Sequence, residues 1–278
     1  MSETWLLRPA TAADRTPVLA FCAHTWEGGD YIAEVWDEWL HDPHTALVVG
    51  TLDDQPIALA HIVIDGEQSW LEGVRIDPAQ RGRGFGQRLV QGCAEIARQQ
   101  GATVMRLLTN RDNRAMIQLI TRLGFAHCFD ATWYSAPALD GPPPEPLATR
   151  DADELLRDLD AAPVLRETGG LYADGWMFLR PSAARLQRHL AAGQVVAVPG
   201  VNGWAIVAND GESERQAIIL AAGDFAGLLH GLRAHPAARR SGELRVLLPP
   251  DGACAALAQQ LGYAVKRPHR FGIYALAL

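Results

Sequence analysis

Two stretches carry one pattern half a chain apart, and this repeat limits the possible folds more than any other feature. "VMRLLTNRDNRAMIQLITRLGF" (104–125) and "ELRVLLPPDGACAALAQQLGY" (243–263) each read as a buried strand, a turn, an amphipathic helix, a glycine stop and an aromatic residue. The matching arginines, Arg106 and Arg245, lie 139 positions apart in a chain of 278 residues. A period that long is a duplicated domain rather than a solenoid unit, and each copy must close a core of its own. Between the copies lies "PALDGPPPEP" (137–146), with five prolines and a glycine in ten residues, which can neither extend a helix nor sit inside a sheet. The expected division is therefore a domain over 1–137, a proline-rich linker over 138–146 and a second domain over 147–278.

In the first half, "TWLLRPA" reads as a strand and "TAADRTPVLAFCAHTW" as a helix entered from Thr11. "YIAEVWDEWL" puts Ile32, Val35, Trp36, Trp39 and Leu40 on one helical face. Three strand-like runs follow, "TALVVGTLDD", "QPIALAHIVID" and "QSWLEGVRID". Residues 86–100 form a helix with Leu89, Val90, Cys93, Ile96 and Ala97 inward. Another strand, a helix over Ala115–Leu123 and the strand "FAHCFDATWYSA" complete an α/β layer structure.

The copies differ at one place. In the first, the stretch "RIDPAQRGRGFGQRLV" (75–90) sets three glycines and several arginines between a strand and a helix. In the second, the strand "RQAIILAAG" runs almost directly into the helix "DFAGLLHGLRAH". A helix N-terminus leaves backbone N–H groups unpaired and carries partial positive charge, and glycines let an anion come close to it. Arg81 and Arg83 add full charges, so a diphosphate suits the turn. A dinucleotide fingerprint would need glycine at 87, where Gln87 stands, and the P-loop pattern is absent.

The stretch does fit R-x-x-G-x-G, with Arg81, Gly84 and Gly86 after a strand ending "VRIDP". It resembles the pyrophosphate loop of the GNAT acetyltransferase superfamily. "LLRPATAADRTPVL" is similar to the family's first strand and helix. "NRAMIQLITRLGF" is similar to its N-x-x-A-x-x-L-Y-x-x-x-G-F segment, with Asn113, Gly124 and Phe125 in register. The implied fold class is α/β with two tandem GNAT-like domains, each a central mixed, mostly antiparallel sheet flanked by helices, the second lacking the pyrophosphate loop.

The resemblance implies acetyl-CoA as cosubstrate and N-acetyltransferase activity by direct attack of an amine. Val74 and Ile76 would bond the pantetheine arm through their backbone. Arg81, Gly82, Arg83, Gly84, Phe85 and Gly86 would hold the pyrophosphate, and Asn113 would either reach the pantetheine or simply cap its helix. Amine acetylation needs an unprotonated nitrogen, and Glu72 is the candidate general base. It is expected to alternate in phase with Val74 and Ile76. The tyrosine that the family often uses to protonate the thiolate is replaced by Ile120; Tyr31 and Tyr134 are substitutes on position alone. For the acceptor, Trp26, Asp30 and Tyr31 lie in "HTWEGGDY", where acidic and aromatic groups suit a cationic amine. This region and "WLEGVRIDP" also resemble the GNAT group that contains histidine N-acetyltransferase, which makes an amino acid a plausible acceptor. Peptide acetylation and non-catalytic acyl-CoA binding are the alternatives.

A formal net charge of −7 gives a nucleic-acid partner little support. The nine histidines show no ligand spacing and the four cysteines no C-x-x-C pair, so no metal is expected. With no apolar run of signal or membrane length, the expectation is a cytoplasmic protein, free of membrane, acting on a small-molecule amine as a monomer or homodimer.

Overall fold

A computed structural model describes residues 3–23, 29–209, 216–265 and 270–278. By its contacts the chain divides into two compact units. The first holds Met1–Leu107, Asn113–His127 and Tyr274–Leu278; the second holds Leu108–Asp112 and Cys128–Ile273.

The elements of the first half, in order, are β1 (Trp5–Pro9), α1 (Arg15–Cys22), α2 (Ile32–His41), β2 (Thr45–Leu52), β3 (Gln55–Asp65), β4 (Gln68–Ile76), α3 (Phe85–Gln99), β5 (Val104–Asn110), α4 (Arg114–Arg122) and β6 (Ala126–Pro137). β1 to β4 pair antiparallel with their neighbours, and β4 pairs parallel with β5. The parallel step follows from the α3 crossover, since only a long connection can return a strand in the same direction. The result is the mixed, mostly antiparallel α/β sheet expected.

Two apolar layers cover this sheet. On one face Val18, Cys22, Ile32, Trp36 and Trp39 of α1 and α2 pack on Leu47, Val49 and Leu59. On the other, Leu89, Val90, Cys93 and Ala97 of α3 and Ile120 of α4 pack on Val48, Ala58, Ala60, Ile62 and Leu71. Tyr274 belongs to this second layer, with Leu276 and Leu278 packed against it, and Leu278 N–H donates to Thr103 O at 2.9 Å. The first α-helix ends at Cys22, earlier than its pattern suggests. Its entry is held by Asp14, which takes hydrogen bonds from Thr11 N, Thr11 Oγ1 and the two terminal guanidinium nitrogens of Arg8, Nη1 and Nη2.

The second half contains β7 (Glu145–Pro146), α5 (Ala152–Arg157), α6 (Pro163–Glu167), β8 (Tyr172–Asp174), β9 (Met177–Leu179), α7 (Ala183–Ala191), β10 (Val195–Ala197), β11 (Gly203–Asn209), β12 (Gln216–Gly223), α8 (Phe225–Gly231), α9 (Pro236–Ser241), β13 (Glu243–Leu248), α10 (Ala253–Gln260), β14 (Ala264–Val265) and β15 (Phe271–Ala277). Its sheet runs β6-β13-β12-β11-β10-β7, antiparallel except for the parallel β12–β13 pair. That pair brackets α8 and α9 as β4 and β5 bracket α3, so the duplicated topology is visible in both units.

Residues 138–146 differ from a free linker. Ala138 and Leu139 donate to Gly242 O and Arg233 O, Arg239 donates to Leu139 O, and Glu145–Pro146 pair with β10. The prolines keep the stretch out of regular structure, yet it belongs to the second unit.

Candidate active site

The site begins with an irregularity in β4. His61 faces Glu72 across the β3–β4 ladder, but Leu59 faces Arg75, so β4 carries one extra residue between the two pairs. Gly73, at φ +64°, supplies this bulge. A side chain there would strike Trp39, whose ring lies 2.7 Å from the position a Cβ would take.

The bulge corrects the expected alternation. Val74 and Ile76 pack with Leu71 on the α3 layer. Glu72 pairs with His61, which stacks on Trp39 of the α1–α2 layer. Arg75 turns to the same side, opposite Leu59. Glu72 and Arg75 thus share one face, and Val74 and Ile76 occupy the other.

A continuous set of polar and aromatic groups results. Glu72 Oε1 lies 2.9 Å from His61 Nδ1, and the Glu72 side chain is 22% exposed. The His61 ring stacks on Trp39 with centroids 4.1 Å apart and planes at 5°. Trp39 meets the edge of Tyr31 at 6.0 Å and 84°. The Arg75 guanidinium lies 5.3 Å from the Tyr31 ring centre and grips Asp30 through two bonds, of 2.7 and 3.1 Å.

These contacts alter the reading of Asp30. Its carboxylate is buried, holds Arg75 in both bonds and also caps Ile32 N. The charge expected to meet a cationic amine is already met by a guanidinium. Tyr31 is 41% exposed, yet its hydroxyl end is desolvated, and this burial pushes the phenol up to about 12. Arg75 works against that rise, while Glu72 and Asp30 add to it. Trp26 lies outside the described residues.

The loop after β4 opens with Asp77, whose carboxylate accepts from Ala79 N. Gly82 and Gly84 both take positive φ, +78° and +83°, and nothing stands within 4 Å of where their side chains would begin. Gly84 is the N-cap of α3 and makes no side-chain cap bond, so the first N–H groups of a 15-residue helix stay open. Gly86 serves packing, since a Cβ there would come within 3.3 Å of Leu119 in α4. Arg81 Nε donates to Ile76 O. Arg83 pairs with Glu3 and Gln80 and stacks over Phe85. The Phe85 ring itself is buried against Trp5, leaving only its backbone to the loop.

Asn113 Oδ1 accepts from Met116 N, so it caps α4, and this bond does not use its amide nitrogen. Ile120 is fully buried in the α3 layer. In the second unit, Tyr134 points its hydroxyl toward Pro250 O at 3.5 Å, and burial raises its phenol.

In the second unit the start of α8, the counterpart of the open α3, is closed, and so is that of α10, the counterpart of the capped α4. Asp224 caps α8 by accepting from Gly227 N. Glu167 accepts from Cys254 N at the start of α10. Among the described residues no group of three or more His, Cys, Asp or Glu side chains is placed to hold a metal ion, and no helix is long and apolar enough to cross a membrane.

Sequence reasoning named Glu72, Asp30 and Tyr31 but not their organisers, Arg75, His61 and Trp39. One of these left a signal: His61 is the lone polar residue in the apolar run "IALAHIVI".

Comparison with known proteins finds a family model that matches part of the chain and solved structures that share its fold. Residues 14–125 match the model of the "Acetyltransferase (GNAT) family". A histidine N-acetyltransferase of Oreochromis niloticus is 28% identical over 107 residues, 38% of this chain and 32% of that protein. The human protein named "Probable N-acetyltransferase 16" is 28% identical over 208 residues, 66% of this chain and 56% of its own length. The chain thus spans about a third to a half of these relatives. A solved structure titled as a tandem GNAT protein from the clavulanic acid biosynthesis pathway shares the fold at TM-score 0.59 and 12% identity, covering 99% of this chain and 98% of its own.

Proposed function

We propose that the chain is an acetyl-CoA-dependent N-acetyltransferase for a small-molecule amine, with amino acids as the first class to test; the match of residues 14–125 to the GNAT acetyltransferase family model supports this reading. The observation that carries this reading is the pairing of an open helix N-terminus at α3 with the partly exposed carboxylate of Glu72, at the two ends of the stretch 72–84 that runs from β4 through its loop to α3.

In this reading the open N–H groups from Gly82 to Gly86 take the pyrophosphate of acetyl-CoA. Arg81 and Arg83 contribute charge; the Arg83–Glu3 pair lies at the surface, where such pairs are weak and readily exchanged. Val74 and Ile76 offer backbone groups to the pantetheine arm and the thioester carbonyl, and Asn113 offers its amide nitrogen. Glu72 removes a proton from the ammonium, freeing the lone pair that attacks the carbonyl carbon. The C–N bond forms and the C–S bond breaks; coenzyme A leaves as a thiolate, and the second proton lost by the nitrogen reaches its sulfur through water. With Asp30 held by Arg75, the acceptor is recognised through Glu72 and the exposed part of the Tyr31 ring rather than by a row of free carboxylates.

The second unit, with Asp224 and Glu167 on its helix starts, binds no coenzyme A in this reading. At α8, the counterpart of α3, the Asp224 carboxylate occupies an N–H that a phosphate would need and repels its charge.

An assay of thiol release from acetyl-CoA over a panel of free amino acids, polyamines and short peptides tests the proposal. The names of two groups of relatives place histidine on that panel. The expected result is release with a small amine, abolished by Glu72→Gln while acetyl-CoA still binds; unchanged turnover in that variant would remove Glu72 from the reaction. A non-catalytic acyl-CoA-binding protein is the rival, favoured by one observation, the buried Ile120. Tight binding with no release from any amine would decide for it.

A further inference from the structure

We propose that His61 is a positioning residue for the general base, a role that rests on the reading of Glu72 given above. His61 is 2% exposed and lies in β3 within "IALAHIVI". Burying an imidazole among apolar neighbours is unfavourable unless a specific contact offsets it. The ring makes one such contact, Nδ1 to Glu72 Oε1 at 2.9 Å, while Nε2 is buried and finds no partner.

A carboxylate can only accept, so Nδ1 must carry the proton and Nε2 is the bare nitrogen. The tautomer is therefore set by Glu72. The ring's orientation is set from the other side. Trp39 lies flat against it, Tyr31 holds Trp39 edge-on, and the missing side chain of Gly73 makes room for the Trp39 ring. An imidazole pinned this way cannot turn its N–H elsewhere.

The consequence concerns which oxygen of Glu72 works. Oε1 is fixed by the Nδ1–H donor, and Oε2 is left to take the ammonium proton. When it does, the Nδ1–H bond to Oε1 persists and no proton passes through His61. His61 does not touch the reacting atoms; it fixes the angle at which the base presents its free oxygen, a matter to which proton transfer is sensitive.

The test uses the full chain in two arms. In the first, nitrogen NMR of histidine-labelled protein reads the tautomer of His61, assigned by the signal lost in His61→Asn. The expected state is Nδ1–H with bare Nε2, and that preference should disappear in Glu72→Ala; an Nε2–H ring in the unmodified protein overturns the proposal. In the second arm, acetyl-CoA and the fastest amine of the panel are used. His61→Phe keeps a ring on Trp39 but has no donor, and should lower kcat about tenfold or more with the KM for acetyl-CoA unchanged. His61→Asn, which places an N–H near the Nδ1 position, should recover most of the loss. Unimpaired kcat in His61→Phe, with Glu72→Gln inactive, would refute the positioning role alone; full turnover in Glu72→Gln would refute the base itself. Should His61→Phe not fold, the tautomer in the unmodified chain still decides.

Discussion

Gly73→Ala should destabilise the first unit far more than the same change seven residues earlier, at Gly66. Both glycines lie in the β3–β4 hairpin at nearly the same backbone angle, φ +64° and +61°. Alanine costs about 1–2 kcal/mol in that left-handed region wherever it stands, and its effect on the unfolded chain is the same at both sites. The surroundings differ. At Gly66 nothing lies within 4 Å of the new Cβ, whereas at Gly73 Trp39 Cζ3 would be 2.7 Å away and Cη2 3.0 Å. Trp39 cannot yield freely, being buried and stacked flat on His61. Forcing a methyl into such a place typically costs about 1–3 kcal/mol. Urea unfolding with a common slope should therefore place Gly73→Ala about 1–3 kcal/mol below Gly66→Ala. A tilted Trp39 should also release His61, so the rate should fall in Gly73→Ala and hold in Gly66→Ala. Equal midpoints, within about 0.5 kcal/mol, would show that the bulge tolerates a side chain and that Trp39 is not wedged against it.

Two further outcomes follow from the first unit. The bidentate bonds from Arg8 pull the Asp14 carboxyl down to about 2. A lowered value in the fold means that the stability it contributes is present above the unfolded value, near 4, and is lost as the pH falls toward 2. Allowing for the solvent around Arg8, the contribution is about 1–2 kcal/mol. The gap between the unmodified protein and Asp14→Asn should thus close between pH 4 and 2 in unfolding measurements, and a gap independent of pH would refute the assignment. A fragment ending at Pro146 lacks Tyr274, Leu276 and Leu278 from the α3 layer. It should show no cooperative melting, and a sharp transition would show those residues to be dispensable.

What could be read in the sequence was local, and what could not was a matter of distant partners. The amphipathic helices, the glycine turn before α3 and the cap at Asn113 depend on neighbours within a few positions, and they appear where the pattern put them. The bulge was half legible. A lone glycine inside a strand often marks one, but strict alternation through residue 73 set Glu72 on the wrong side relative to Val74 and Ile76. Asp30 and Arg75 are 45 positions apart, and no periodicity ties a turn residue to a strand residue at that range. The last strand, "FGIYALAL", is as apolar as any other strand in the chain. Nothing in its composition says that its final residues complete the first unit rather than the second.

The two halves differ in the way their helices begin, and the difference concerns charge more than stability. Aspartate at a helix start, as at α8, fills an N–H with its own carboxylate and sets a negative charge against the positive end of the helix. Glycine at the same point costs only a few tenths of a kcal/mol in comparison, yet it leaves the N–H groups of α3 open and the local charge uncancelled. Gly84 can also take its +83° backbone angle without strain. One residue at the helix start therefore separates a terminus open to an anion from one closed to it. Gly84→Asp would import the second half's arrangement into the first. Because any side chain is strained at that +83° angle, Gly84→Asp should lower stability by about 1–2 kcal/mol without unfolding the chain. It should also weaken acetyl-CoA binding in calorimetry by an order of magnitude or more; retained affinity would mean that the phosphate-binding role does not lie at the start of α3.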